Sequence, residues 1–251
     1  METRLYFYIT GADGLVGRLK GNIMKTIKFL RKSSISVLAL AALLSGNALA
    51  EGKLPDHTDD GLDRIDAKHV DAVYWKEGAT LEQYDSIKLL ECTVAFRKDW
   101  MRDYNRDQIS LSHRVDAKDM DRIKKKLAEE FNKEFSMVLQ DKDGYTITDE
   151  VGENVLLLRP ALVNLDVAAP DLKTADRSRT YTASAGSMIL YLELYDSATS
   201  SIIGRVVDSK ASRSDGRVMI SNEITNRAEA DRMLRNWAEL LRKALDEAHG
   251  K

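Results

Sequence analysis

A single cysteine, Cys92, excludes an internal disulfide, so the fold must be held by packing whatever its redox surroundings. No apolar run approaches the roughly 20 residues that span a bilayer, which excludes a lasting helical anchor. Basic excess is missing too. Of 38 Lys+Arg and 40 Asp+Glu, seven and two fall in residues 1–50, leaving 31 against 38 and a net charge of −7 from residue 51 onward. That balance excludes the counterion-displacing basic face of a nucleic-acid binder. No H-E-x-x-H zinc spacing, no G-x-S-x-G nucleophile turn, no internal repeat and no low-complexity run occurs. The usual sequence routes to a named reaction are therefore closed.

What is present begins with residues 24–50, which read as a secretory signal peptide. Lys25, Lys28, Arg31 and Lys32 form a positive n-region, residues 36–44 an apolar core too short to span, and Ala48 and Ala50 an A-x-A cleavage site. Cleavage after Ala50 leaves Glu51 as the expected N-terminus of a periplasmic product. Residues 1–23 read as an upstream extension of the reading frame, with translation starting at Met24. They contain Thr10, Gly11, Gly14 and Gly17 in the T-G-x-x-G-x-x-G spacing of a dinucleotide turn. Such a turn must open a helix inside a βαβ unit; here it runs into the basic n-region, and nucleotide binding is not expected.

Residues 51–71 are polar, offer little to bury and read as a flexible leader. Residues 72–249 read as a single α+β domain. The expected architecture is a two-layer sandwich, a mixed sheet of about five strands packed by two amphipathic helices, in the order β-α-β-β-β-β-α. Residues 86–96 read as the first strand. Residues 116–140 carry Met120, Ile123, Leu127, Phe131, Phe135 and Val138 near helical spacing, with Asp116 as N-cap. Two strands follow, at 145–148 and 155–167; Pro160 argues for an edge position or a bulge in the second. Met188, Leu190, Leu192 and Leu194 alternate with Glu193 and Tyr195 in a strand that pairs with 202–211 as an antiparallel hairpin. A closing helix starts near Asn226, with Glu229 completing a capping box and an apolar stripe from Ala230 to Ala248.

Candidate chemistry is sparse. Asp141, Asp143, Gly144 and Glu150 fit positions 3, 5, 6 and 12 of a calcium loop, but position 1 is Leu139, which offers no oxygen, and a helix C-terminal turn accounts for them. His57, His69, His113 and His249 are scattered. Ser187 and Ser212 lack an exposing turn, and Cys92 lies in an apolar run that raises a thiol pKa and makes a Cys92–His113 dyad a poor nucleophile. No metal, cofactor or catalytic residue is expected. The connection 168–185 is long for a compact domain, and its Arg177, Arg179 and Tyr181 can offer forked hydrogen bonds and stacking to a partner. Arg97, Trp100, Arg102 and Tyr104 form a second candidate surface, with Trp100 equally suited to plug the core.

Four segments, 73–100 (VYWKEGATLEQYDSIKLLECTVAFRKDW), 156–170 (LLLRPALVNLDVAAP), the strand pair MILYLELYDS and IIGRVVDSKAS, and 236–246 (NWAELLRKALD), together resemble the bacterial envelope family called domain of unknown function 3313. Members of that family often look like lipoproteins with an acylated cysteine at the cleavage point. Here Ala50-Glu51 stands there instead, implying a soluble periplasmic product. The resemblance implies an α+β envelope domain and carries no active residue. The expected role is a non-enzymatic module binding an envelope protein or a cell-wall component. The alternatives are a small-ligand carrier, or a hydrolase assembled from distant residues.

Overall fold

The structure, a computed structural model, describes residues 54–167, 170, 180–182, 186–211, 219–221 and 223–251. The signal-peptide residues, with Ala48, Ala50 and the glycines of the upstream turn, lie outside the described residues. In chain order the elements are β1 (Asp63–Ile65), β2 (Ala72–Trp75), β3 (Ser86–Leu89), β4 (Thr93–Phe96), α1 (Trp100–Arg106), a 3-10 turn (Leu111–His113), α2 (Ala117–Gln140), β5 (Thr146–Ile147), β6 (Val155–Val167), β7 (Thr180–Thr182), β8 (Gly186–Asp196), β9 (Ile202–Ala211), β10 (Met219–Ser221) and α3 (Glu223–Ala248).

The α+β class is as expected, but the sheet is larger. Eight strands run in the order β1-β2-β9-β8-β6-β3-β5, with β4 also pairing β6, while β7 and β10 form a separate antiparallel pair. The sheet is mixed: β3 and β4 run parallel to β6, and β5 parallel to β3, whereas the other pairings are antiparallel. The strands the expectation missed, β1, β2, β7 and β10, are three or four residues long, too short for alternation to register. One of them, β1, falls in the stretch read as a leader. Leu62 beside it is fully buried and β1 pairs with β2, so residues 63–65 form the sheet edge.

The single strand expected over 86–96 is two strands, interrupted at Leu90, Glu91 and Cys92. That interruption explains Pro160. Strand β6 is internal, flanked by β8 on one side and by β3 and β4 on the other, so Pro160 marks neither an edge nor the register shift, which lies between Val163 and Asp166. The Leu158 carbonyl accepts from the Leu90 N–H, so by alternation the Pro160 nitrogen faces the same side, between the Leu89–Leu158 and Thr93–Ala161 pairs. The missing donor sits where the ladder is already broken.

Helix α2 opens as read. The Asp116 side chain accepts from the Asp119 N–H at 2.8 Å, and Asp119 returns the bond to the Asp116 N–H at 3.1 Å. Helix α3 starts at Glu223, earlier than expected, so Asn226 is inside the helix and is not its cap. Both long helices cover one face of the sheet. Phe131, Phe135 and Leu139 from α2 and Leu234, Trp237, Ala238 and Leu245 from α3 bury against Ile87, Leu156, Leu158, Leu162, Leu190, Leu192 and Leu194. Each large aliphatic or aromatic side chain so buried contributes about 1.5–3 kcal/mol of transfer free energy. Ala244, expected in the α3 stripe, is exposed, and Ala238 takes the inward place. At Gly204 a Cβ would stand 2.3 Å from the Trp75 ring, so only glycine lets that indole lie flat on β9. No helix of the described residues is long and apolar enough to cross a membrane.

Candidate functional site

Among the described residues a cleft of about 380 Å³ opens at one end of the sandwich, lined by the first half of α2, the first half of α3 and the sheet. Its floor is apolar: Ile123 and Leu127 from α2, Met233 from α3, Leu165 from β6 and Met188 from β8. The volume lies at the small end of ligand sites. Strand β6 has just passed its register shift, with Asn164 at φ 54°, and the kink turns Leu165 inward and Asp166 to the rim. Asp166 is held there by Arg97, whose Nε donates to Oδ2 at 2.8 Å.

The rim is acidic. Glu129, Glu130, Asp166, Glu229 and Asp231 face Lys126 and Arg227. Between the helices the ligand atoms of Glu130, Glu134 and Asp231 lie within 4.8 Å of one another. Counter-charges are at hand: Arg227 donates to Glu130, Lys133 Nζ to Glu130 at 3.0 Å and Glu134 at 3.4 Å, and Arg235 Nε to Glu134 at 3.0 Å. Three carboxylates thus meet three cations, and the group reads as an interhelical ion-pair lattice. It leaves one atom over. The Oδ1 of Asp231 is inaccessible and has no hydrogen-bond partner among the described residues. Burial first, then repulsion from Glu130 and Glu134, raises the Asp231 pKa.

A raised carboxylate pKa stabilises the fold only in its protonated form. The contribution is fully present below the unfolded-state value of about 3.9 and is lost as pH rises through the folded-state value. Asp231→Asn is therefore expected to raise the melting temperature at pH 7, with the gain shrinking toward zero below about pH 4, where wild type is protonated in both states. Thermal melts of both proteins across that range check it.

On the opposite face of the sheet lies a second polar assembly. Glu193 is 3% exposed on β8, between Arg159 of β6 and Arg205 of β9. Arg205 Nη2 donates to Glu193 Oε1 at 2.9 Å and Nη1 to Asp60 Oδ1 at 3.1 Å, while Arg159 donates to Glu193 and to the Tyr195 hydroxyl, the latter at 2.6 Å. Burial, then the Glu193 charge, pushes Tyr195 up to about 12 and Tyr191 higher still. The assembly ties β6, β8 and β9 to the segment preceding β1.

The residues picked from sequence disperse. Arg177 and Arg179 lie outside the described residues, as does Ser212. Tyr181 is not in a loop: it is the middle residue of β7, its backbone in register with Ile220 of β10. Trp100 is core, 2% exposed and stacked between Phe96 at 4.4 Å and Tyr104 at 5.5 Å. Arg97 ties α1 to β6 through Asp103 and Asp166, both at 2.8 Å, and Arg102 pairs at the surface with Asp99 and Asp103. Gly144 packs where a Cβ would meet the Leu139 carbonyl, and Arg242 Nη1 donates to the carbonyls of Leu139 and Asp141 at 3.2 and 3.0 Å; the turn is a helix end closed by an arginine.

Burial pushes the Cys92 thiol up to about 12, and its sulfur contacts the Thr93 carbonyl rather than an imidazole. His57 pairs with Asp63 at 2.6 Å, and His249 bonds the Leu245 carbonyl at 2.8 Å, while His69 precedes β2 and His113 ends the 3-10 turn. Ser187 does reach the cleft, on its β8 wall, with no imidazole hydrogen-bonded to it among the described residues. Sequence reading missed the lattice, although Glu130 and Glu134 left a trace. Like charges at i and i+4 of one helix repel, and a neighbouring element must supply cations.

A mixed sheet covered on one face by a helix pair, with an apolar-floored, acid-rimmed cleft at one end, describes a class of small α+β domains. Residues 57–241 match the family described as "Protein of unknown function (DUF3313)", and the chain belongs to it. No curated protein matches the chain. Among solved structures it is similar to two PelC dodecamer structures from Paraburkholderia phytofirmans. One, a variant, is 9% identical at a TM-score of 0.32, covering 68% of this chain and 95% of that one. The other is 8% identical at a TM-score of 0.34, covering 68% and 96%.

Proposed function

We propose that this protein is a periplasmic, non-enzymatic binding module of the cell envelope, released by cleavage after Ala50, and that the cleft between α2, α3 and the sheet is where it binds. The cleft carries the reading. Its floor offers apolar surface to exclude water, and its rim offers charge to fix orientation, the division of labour of a recognition site. The basic n-region, short apolar core and A-x-A step support export. The envelope character attributed to the family in its resemblance to this sequence supports the location.

The test has two arms. The protein recovered from a periplasmic fraction is analysed by mass spectrometry for its N-terminal peptide, expected to begin at Glu51. In-cell cross-linking then compares wild type with Ala230→Trp, which fills the cleft, and with Glu129→Lys, an exposed rim reversal. Loss of the same adducts in both, with melting curves unchanged, supports the reading. Adducts that persist in both overturn it.

A further inference from the structure

The segment preceding β2 is closed on itself. The Thr58 N–H donates to the Leu62 carbonyl at 2.9 Å and the Leu62 N–H to Thr58 Oγ1 at 3.0 Å, around a turn that Gly61 completes at φ 80°. The Arg64 N–H donates to the Asp56 carbonyl at 2.8 Å, and His57 meets Asp63 at 2.6 Å, so the two legs of the turn hold each other. Residues 54–65 are one piece.

That piece is fastened to the domain at β1, at Leu62 and at Asp60. Strand β1 pairs with β2, Leu62 is the only buried residue of 54–65, and Asp60 accepts from both Nη groups of Arg205, Nη1 to Oδ1 at 3.1 Å. A longer contact, 3.4 Å, runs from Arg64 to the Asp71 carbonyl. Asp60 on Arg205 sets the turn over the face of the sheet away from the helices. Register puts Ala72, Val207 and Tyr191 in one row there, and Tyr74, Arg205 and Glu193 in the next. Ala72, Tyr74, Tyr191 and Val207 are buried on that face, outside the core beneath the helices.

The connection that follows is exposed at residues 66–69, and the chain is fixed again at Asp71, whose Oδ2 accepts from the Ser209 N–H at 2.9 Å. A unit bonded within itself, hung on an exposed connection and set apart from the main core, opens at less cost than the whole domain.

We infer that residues 54–65 are a strap that opens as one unit about residues 66–70, latched by Asp60 on Arg205, and that it covers a seat for an extended partner segment bearing a carboxylate and, two positions on, an aliphatic side chain. The strap itself shows what the seat takes. Asp60 and Leu62 are that pattern, and the pairing of β1 with β2 is what an extended segment repeats along a vacated edge. Opening does not strand the guanidinium. Arg205 Nη2 stays on Glu193 at 2.9 Å, which keeps the fork aimed while Nη1 is freed for an incoming carboxylate. Strap and partner compete for one place, so the closed strap is an autoinhibitory contact. The seat lies on the opposite face from the cleft and owes nothing to it.

Hydrogen exchange of the protein as isolated from cells tests the strap, comparing residues 54–65 with β6 and β8. In wild type the strap amides are expected to exchange faster. Asp60→Ala is expected to speed them about tenfold or more with β6 and β8 unchanged, whereas Asp59→Ala, on the same turn, leaves both regions as in wild type. A labelled peptide of residues 54–65 tests the seat. It is expected to bind the Asp60→Ala protein about tenfold or more tightly than wild type, whose own latched strap competes, and the same peptide carrying Asp60→Ala should lose that binding. Strap amides that exchange in step with β6 and β8 overturn the separate unit, and strap exchange unchanged in Asp60→Ala overturns the latch. A peptide that fails to bind the Asp60→Ala protein, or binds as well without its carboxylate, overturns the seat.

Discussion

Glu193→Ala is expected to cost about 3–5 kcal/mol, enough to unfold much of the population of a marginally stable domain. The carboxylate is 3% exposed and is the shared acceptor for Arg159 and Arg205, on the strands either side of its own. Its removal leaves two guanidinium groups facing each other, with only Asp60 remaining for Arg205. Surface ion pairs rarely matter at this scale; here the cost comes from stranding charge where water is scarce. Replacing all three with apolar residues of similar volume, Arg159→Met, Glu193→Leu and Arg205→Met, should recover most of that loss, because no charge is then left unpaired. Urea denaturation of both variants checks the pair of expectations. A single variant no weaker than the triple would mean that the assembly is already hydrated.

Trp100→Ala should cost about 3–5 kcal/mol through the cavity it leaves. The indole is the largest side chain closing its end of the core, stacked between Phe96 at the end of β4 and Tyr104 one turn further along α1. Its loss removes the anchor of a helix only seven residues long, which has no side-chain cap at its start. The midpoint of unfolding should fall while partner cross-links made by the residual folded protein persist. The opposite pattern, unchanged stability with lost cross-links, would restore Trp100 as a contact residue.

Periodicity carried the long elements and failed on the short ones, for physical reasons. The alternation that placed Leu190, Leu192 and Leu194 opposite Glu193 and Tyr195 runs through ten or so residues of β8, and the structure buries the leucines against the helices. Helix α2 was legible at its start because Asp116 and Asp119 cap each other. Strands β1 and β2 span three and four residues, and β2 joins the sheet through β9, far away in sequence, so no local pattern announces them, whereas the stretch that forms β3 and β4 was long enough to read as one strand. Pro160 was noticed for the right reason and placed wrongly. The gap it faces belongs to another part of the chain.

The cleft was invisible for the same kind of reason. Its floor is made of residues that sequence reading assigned simply to apolar stripes, and what empties the space is the kink after Val163 and the parting of two helix ends. Ion pairs such as Glu134 with Arg235 join residues about a hundred positions apart, and composition says nothing of them.

Strand β6 has further consequences for how the domain can form. Among the described residues it is the only strand that pairs both with the early strands β3 and β4 and with β8 of the late hairpin. Until it arrives, β3 has only the two-residue β5 beside it and β4 has no strand partner, and a nascent or truncated chain ending before residue 155 has no closed core to settle into. Such a topology folds late and slowly, since its decisive contacts are non-local. Fragments cut on either side of β6 should remain protease-sensitive, and the domain should appear in a single step once that strand has both its neighbours.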